Sequence, residues 1–319
     1  MNTLLTIRTP LFEPTPAMLL RIQEAAPGLT VRCAGRSAVT AEMMAAAEVI
    51  FGCPPPELLA AAARLRWMHI TNAGIEPYGD LRLFAGRGVI LTNAAGVYGT
   101  PIAEHGIGML LALCRQFPYY VRQAGEREWL RREDVLEVCG GTAAVFGTGD
   151  LGRNLARRLK AFDCTVLGVR NNVMEKPPGI DELFPPHQKL EVLRRAQFVF
   201  SCLPRTPQTE RVFDEAAFAA MPPRSVFINL GRGSAADHDA LLRALTAGRL
   251  FGAGLDVTDP EPLPPESPLW GLENVLITAH SSAASGHTAR RGVELFLRQL
   301  ERWNAGKRLL NEVDFFRGY

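Results

Sequence analysis

Short runs of β-branched and aromatic residues alternate along the chain with stretches whose apolar positions recur every three or four residues. The first pattern predicts strands, the second helices. One series of predicted strands covers residues 4–8, 29–33, 48–51, 67–70 and 89–91. A second covers 142–146, 164–169, 197–202, 225–230, 251–256 and 274–278. Helical patterns lie between them, at 56–63, 151–161 and 237–247, and a long last helix is expected over 288–304 with Gly306 ending it. Residues 102–117 also read as helix, with Met109, Leu110, Leu113 and Phe117 on one apolar face. Pro177–Pro178, Pro185–Pro186 and the proline-rich stretch 260–268 read as loops, since proline cannot continue a helix or a central strand. Strands alternating with helices imply the α/β class with parallel sheets, and two strand series imply two such units.

Composition narrows the classes of function. A chain of 319 residues suggests about two domains, and 47% hydrophobic residues suffice for a sizeable core. Lys and Arg total 35 against 33 Asp and Glu, so nothing favours nucleic acid as a partner. The longest tempting apolar run, 109–114, is far below the roughly 18 residues of a membrane span. MNTLLTIRTP carries no basic segment ahead of a long apolar one, so no secretory signal is visible. The six cysteines form no CxxC and no His/Cys set at metal-ligand spacing. They read as reduced thiols of a cytoplasmic protein, and no metal is expected.

The sharpest local signal is a predicted strand that runs into Gly147-Thr148-Gly149-Asp150-Leu151-Gly152 and then a helix. A lone GxGxxG is weak, but here it stands in the strand–turn–helix setting that dinucleotide binding requires. Gly147 permits the tight turn, Gly149 lets backbone approach a pyrophosphate, Gly152 allows close helix–strand packing, and the helix N-terminus offers N–H groups to phosphate. About 20 residues on, an acidic residue would hold the ribose 2′-hydroxyl of NAD. This chain has Arg170 there, then Asn171 and Asn172, with no carboxylate before Glu175. A guanidinium suits a 2′-phosphate, so NADP(H) is expected over NAD(H). An Arg170 that stacks on adenine or stays solvated would leave NAD(H) as the alternative. Arg205 is either a second cation near that ribose or a solvated loop residue.

Three ionisable residues then follow strands: Arg232 in NLGRG, Glu261 in LDVTDPEPLP, and His280 in VLITAHSS. Singly, each is more often structural or solvated. Parallel sheets gather ligands at the C-terminal ends of strands, so all three can serve one crevice. Together they supply a carboxylate binder, a proton donor and a carboxylate to tune it.

With these motifs the sequence resembles the D-isomer-specific 2-hydroxyacid dehydrogenases over nearly its whole length. The resemblance is carried by NAAGVYGTPIAEH from Asn93, the glycine loop, LPRTPQT from Leu203, INLGRG, LDVTDPEPLP, NVLITAHSS and the C-terminal VDFFRGY. It implies two α/β domains, Rossmann-like and flavodoxin-like. The cofactor domain (98–283) would be inserted into a substrate domain (1–97 and 284–319). It also implies roles. Arg232 would bind the substrate carboxylate and steady the carbonyl oxygen. His280 would protonate that oxygen during reduction and act as base in reverse, and Glu261 would hydrogen-bond His280 and favour its protonated form. Asp256 would help hold the nicotinamide carboxamide, and Leu203 and Pro204 would lie against the cofactor. Backbone N–H groups of Ala73, Gly74 and Ile75 would meet the substrate carboxylate.

The chain departs from the family pattern where Ala279 replaces the proline common before the histidine, and where Arg170 replaces the common acidic residue. His105, in the AEH motif, reads as architectural. His69, His187, His238 and His287 read as structural or solvated. Tyr98 and Trp129 either pack a core or approach a substrate pocket. The 102–117 helix would be a core helix or, as the resemblance implies, part of a homodimer interface, which is favoured. The expected function is a 2-ketoacid reductase that passes hydride between NADP(H) and a small 2-oxoacid or D-2-hydroxyacid. A catalytically silent NAD(P)-binding regulatory protein of the same fold is the alternative, and the presence of Arg232, Glu261 and His280 argues against it.

Overall fold

The computed structural model describes residues 3–76, 78–80, 84 and 88–315. Residues 316–319 of the VDFFRGY motif lie outside that set. The chain divides into two compact units, Met1–Tyr98 with Ala284–Tyr319, and Gly99–Ala283.

The first unit holds strands β1 (Thr3–Arg8), β2 (Thr30–Gly35), β3 (Ala47–Phe51), β4 (Trp67–His69) and β5 (Ile90–Thr92), and helices α1 (Pro16–Ala25) and α2 (Ala41–Ala46). The strands form one parallel sheet in the order β2-β1-β3-β4-β5. Thr15 caps α1 by accepting the N–H of Met18, and Thr40 caps α2 by accepting that of Met43. The predicted helix at 56–63 is instead a 3-10 segment, Pro56–Ala61.

The second unit begins with α3 (Gly99–Cys114) and α4 (Phe117–Glu126), where the sequence pattern predicts a single helix. Gln116 breaks it with φ of +59°, and Pro118, which has no N–H to give an upstream carbonyl, falls in the first turn of α4, where none is needed. Phe117 therefore leaves the apolar face that buries Met109, Leu110 and Leu113, and is exposed. Next come β6 (Thr142–Phe146), α5 (Asp150–Lys160), β7 (Thr165–Val169), β8 (Glu182–Phe184), α6 (Lys189–Arg195), β9 (Phe198–Ser201), α7 (Glu215–Ala220), β10 (Ser225–Asn229), α8 (His238–Thr246), β11 (Leu250–Leu255) and β12 (Val275–Ile277). The seven strands make a parallel sheet, order β12-β11-β10-β9-β6-β7-β8. Strand order reverses between β6 and β9, so a crevice opens there beyond the strand C-termini.

Both faces of this sheet are covered. Leu110 and Leu113 of α3 and Leu155 and Leu159 of α5 pack on one face, and Leu193, Phe218, Leu241 and Leu245 of α6 to α8 on the other. That is why β9, β10 and β11 are buried along their whole length and read as unbroken apolar runs. Two of the stretches expected to be loops contain 3-10 turns, opened by Pro186 and Pro268.

The chain then re-enters the first unit as α9 (Thr288–Asn304). Phe296 of α9 stacks on Phe51 at 4.0 Å between ring centres and on Trp67 at 5.1 Å. The segment beyond α9 lies along β5, with Val313 N–H on Leu91 carbonyl at 2.9 Å.

His69 belongs to this core, fully buried beside Phe51, Trp67 and Phe296. Its Nδ1 meets the Thr92 hydroxyl at 2.8 Å, which also accepts Trp67 Nε1 at 2.9 Å. Burial holds His69 at about 3 against an ordinary 6.5. Below pH 6.5 the unfolded chain binds a proton that the folded chain refuses, so stability falls as pH drops from about 6.5 towards 3. The expected slope from this one group is about 1.4 kcal/mol per pH unit. Urea melts of wild type and His69→Leu between pH 6.5 and 4.5 check it. The variant should lose that part of the slope, and equal slopes would contradict it.

Candidate active site

The turn after β6 is shaped by backbone contact. Gly147 has φ of +90°, and a Cβ there would stand 2.7 Å from the Cys202 carbonyl oxygen. A Cβ on Gly152 would run into the carbonyl oxygen of Gly147, so the helix sits closer to the turn than any side chain permits. Gly149 differs, since a Cβ there meets nothing within 4 Å. It is the N-cap of α5, and no side chain caps that helix. The first-turn N–H groups thus have no side-chain cap, and the backbone at Gly149 is open to approach, the arrangement that receives a phosphate. Thr148 Oγ1 and Ser201 Oγ are buried beside the turn without a hydrogen-bond partner among the described residues. The open cradle, the uncapped helix end and these hydroxyls fit a dinucleotide.

Asp150 turns its carboxylate away from that use. Its Oδ2 accepts the Gly99 N–H at 2.8 Å, and Oδ1 accepts Asn154 Nδ2 at 3.2 Å, which ties α5 to the start of α3. Arg170 follows β7 directly and is half-buried, with its backbone N–H on the Phe184 carbonyl. Its guanidinium makes no ion pair or side-chain hydrogen bond with any described residue, and Asn171 beside it is exposed. Leu203 and Pro204 are half-buried just past β9, and Arg205 is exposed.

Arg232, Glu261 and His280 follow β10, β11 and β12, three adjacent strands, at their C-terminal ends. Asn229 fixes the Arg232 turn: its Oδ1 accepts the Gly231 N–H and its Nδ2 donates to the Arg232 carbonyl at 3.0 Å. The Arg232 guanidinium donates to the Gly231 carbonyl at 2.9 Å. His280 Nδ1 lies 2.6 Å from Glu261 Oε1, both side chains nearly half exposed. Its Nε2 meets no described residue. The backbone of His280 is left-handed, φ +47°, a sparsely populated conformation for any residue but glycine. Its N–H holds it there by donating to the Asp256 carbonyl at 2.8 Å and the Thr278 carbonyl at 3.0 Å.

The Asp256 side chain has no exposed surface. Its oxygens accept the Thr278 hydroxyl at 2.6 Å, the Ser281 N–H at 3.0 Å and the Ser282 N–H at 3.3 Å. His105, which reads from sequence as architectural, brings Nε2 to 3.0 Å from Thr278 Oγ1. Thr278 carries no sequence signature of its own that would single it out.

In the first unit, Ala73 and Gly74 are accessible and Ile75 is buried in the loop after β4. Their three backbone N–H groups donate to no described residue. Tyr98 is a packing residue, set beside Ala94, Val97 and Leu295 with its hydroxyl on the Thr71 carbonyl. Trp129 is wholly exposed. Among the described residues there is no His/Cys/Asp/Glu group able to hold a metal and no helix long and apolar enough to cross a membrane.

Residues 107–282 match the model of the D-isomer specific 2-hydroxyacid dehydrogenase, NAD binding domain. A D-isomer specific 2-hydroxyacid dehydrogenase family protein from Aeromonas salmonicida has a similar crystal structure. It is 32% identical, with 98% of this chain and 99% of that one covered and a TM-score of 0.84. The NADPH-dependent glyoxylate/hydroxypyruvate reductase of Sinorhizobium meliloti, solved with NADP and sulfate, is 27% identical over 99% of this chain and 100% of that one, TM-score 0.81. A glyoxylate reductase from Korarchaeum cryptofilum is 31% identical over 259 residues, 79% of this chain and 76% of that protein. The chain belongs to the D-isomer specific 2-hydroxyacid dehydrogenase family, NAD(P)-dependent oxidoreductases of 2-hydroxyacids.

Proposed function

We propose that this protein reduces a small 2-oxoacid, of the glyoxylate or hydroxypyruvate kind, to the D-2-hydroxyacid with NADPH. The observation that carries the reading is the 2.6 Å pair of His280 and Glu261, at the strand ends of the sheet that also bears the glycine turn. Nδ1 is committed to Glu261, which leaves Nε2 to hand a proton to the substrate carbonyl oxygen. The Glu261 carboxylate fixes the imidazole ring for that transfer. The bound nicotinamide supplies the hydride to the carbonyl carbon, so one 2-oxoacid, one NADPH and one proton give one hydroxyacid and NADP⁺. Arg232 holds the substrate carboxylate as a fork. The first-turn N–H groups of α5, with Gly147 and Gly149, take the pyrophosphate, and Leu203 and Pro204 flank the cofactor.

Arg170, beside Asn171, takes the 2′-phosphate. An unpaired guanidinium at the end of β7 supports this, as does the NADPH-dependent relative from Sinorhizobium meliloti. Arg170→Asp tests it. The charge-assisted contact is worth about 1.5–3 kcal/mol, so the NADPH-to-NADH ratio of kcat/KM should fall by about 10–100-fold or more. An unchanged ratio would contradict the assignment.

We also place the protein in the cytoplasm, with its six cysteines free, and as a homodimer. The surface favouring a second copy is on α4 and the segment after it, where Phe117, Val121, Trp129 and Leu130 are exposed. Charged residues of both signs lie along the same segment, at 126–128 and 131–134, which suits the polar rim of a self-complementary two-fold interface. Sedimentation equilibrium at micromolar concentration should give twice the chain mass, and a monomer there would contradict the assembly.

A further inference from the structure

We infer that His105 is a positioning residue for His280, acting through Thr278 and Asp256. The inference rests on the reading of His280 as the proton donor. The four residues come from α3, the strand end of β12 and the strand end of β11, and their contacts have a definite direction. Thr278 has one hydroxyl hydrogen and gives it to Asp256 Oδ1 at 2.6 Å. Its oxygen therefore accepts from His105, so Nε2 of His105 carries a proton and donates it over 3.0 Å. The donors run from His105 to Thr278 to a carboxylate with no exposed surface, which His105 Nε2 also approaches directly at 3.7 Å.

That carboxylate is the anchor of the His280 loop. Besides Thr278, it collects the N–H groups of Ser281 and Ser282, the two residues after His280. The carbonyls of Asp256 and Thr278 both receive the N–H of His280 itself. His280 is thus gripped from both sides by groups that His105 and Asp256 hold, in a left-handed conformation that persists only when its surroundings impose it. Ala279 ahead of it adds no stiffness of its own, so the polar chain supplies the restraint that places Nε2. His105 reaches it from a different element, the helix on one face of the sheet, and its own side chain is one-quarter exposed. The residue touches neither the glycine turn nor Glu261 and is assigned no part in the chemistry.

Removing the donor at one end should loosen the orientation of His280 without disturbing cofactor binding. His105→Leu is expected to lower kcat about tenfold, the upper end of what one neutral hydrogen bond contributes. The KM for the oxoacid and the Kd for NADPH, read by nucleotide fluorescence, should stay within about twofold. His105→Gln, which keeps an N–H donor at the same reach, should recover most of the loss. Thr278→Val should cost at least as much as His105→Leu, and Thr278→Ser should approach wild type. The double variant His105→Leu/Thr278→Val should lose less than the sum of the two single losses, since both cuts fall on support of the same carboxylate. Wild-type kcat in His105→Leu would overturn the inference. So would additive losses in the double variant, or a loss that Gln does not rescue and that tracks weaker NADPH binding or a lower Tm. His280→Ala, assayed in parallel, separates the two levels. Activity that survives His280→Ala overturns the underlying reading, whereas activity lost there but intact in His105→Leu overturns only the relay.

Discussion

Replacing His280 by alanine is expected to lower kcat by about 10²–10⁴-fold, the range found when a positioned general acid is lost. Its imidazole has one nitrogen tied to a carboxylate and the other facing no described residue, the arrangement a proton donor to substrate needs. Without it, the alkoxide that forms on hydride arrival must take its proton from water. NADPH binding should survive, because the glycine turn, the α5 N-terminus and Arg170 lie on β6 and β7, strands that do not carry His280. Steady-state rates with saturating oxoacid, and fluorescence titration with NADPH, check both halves. Turnover near wild type would remove His280 from the mechanism. Glu261→Gln should fall between the two proteins, as it keeps a hydrogen-bond acceptor for Nδ1 but not the carboxylate.

Arg232→Gln is the second large effect. A guanidinium at the carboxylate and beside the carbonyl oxygen stabilises both the bound acid and the charge that develops on reduction. Loss of one such donor costs about 10²–10³-fold. The loss should appear in kcat/KM for the oxoacid and leave the KM for NADPH unchanged. Arg232→Lys keeps the charge but not the fork, and is expected to recover only part of it. An oxoacid KM and kcat unaffected by Arg232→Gln would show that the carboxylate binds elsewhere.

Much of the fold and of the candidate site is legible in the amino-acid sequence, for physical reasons. Strands β9, β10 and β11 are buried on both faces, so they appear as plain apolar runs, and the glycine turn has a spacing that close backbone packing and a backbone approach to phosphate both call for. Arg232, Glu261 and His280 stand out because each follows such a run directly. Local contacts are harder to read. The kink at Gln116 depends on one left-handed residue, and β8 is a three-residue edge strand with no pattern to read. The short helices α2, α6 and α7 lack the length over which a 3.6-residue period can be recognised. The burial of His69 and the reach of His105 to Thr278 join residues 23 and 173 positions apart. Asp256 shows the limit most clearly. Its place after β11 marks it out, and only the three-dimensional packing reveals that its oxygens accept from Thr278 and from the N–H groups after His280.

The most direct test is oxidation of NADPH and NADH, followed at 340 nm, with glyoxylate, hydroxypyruvate, pyruvate, 2-oxoisocaproate and phenylpyruvate. The expected result is oxidation of NADPH, faster than of NADH, with glyoxylate or hydroxypyruvate among the best substrates. Nucleotide that binds but is oxidised with none of the five acids would contradict the assignment as a 2-oxoacid reductase.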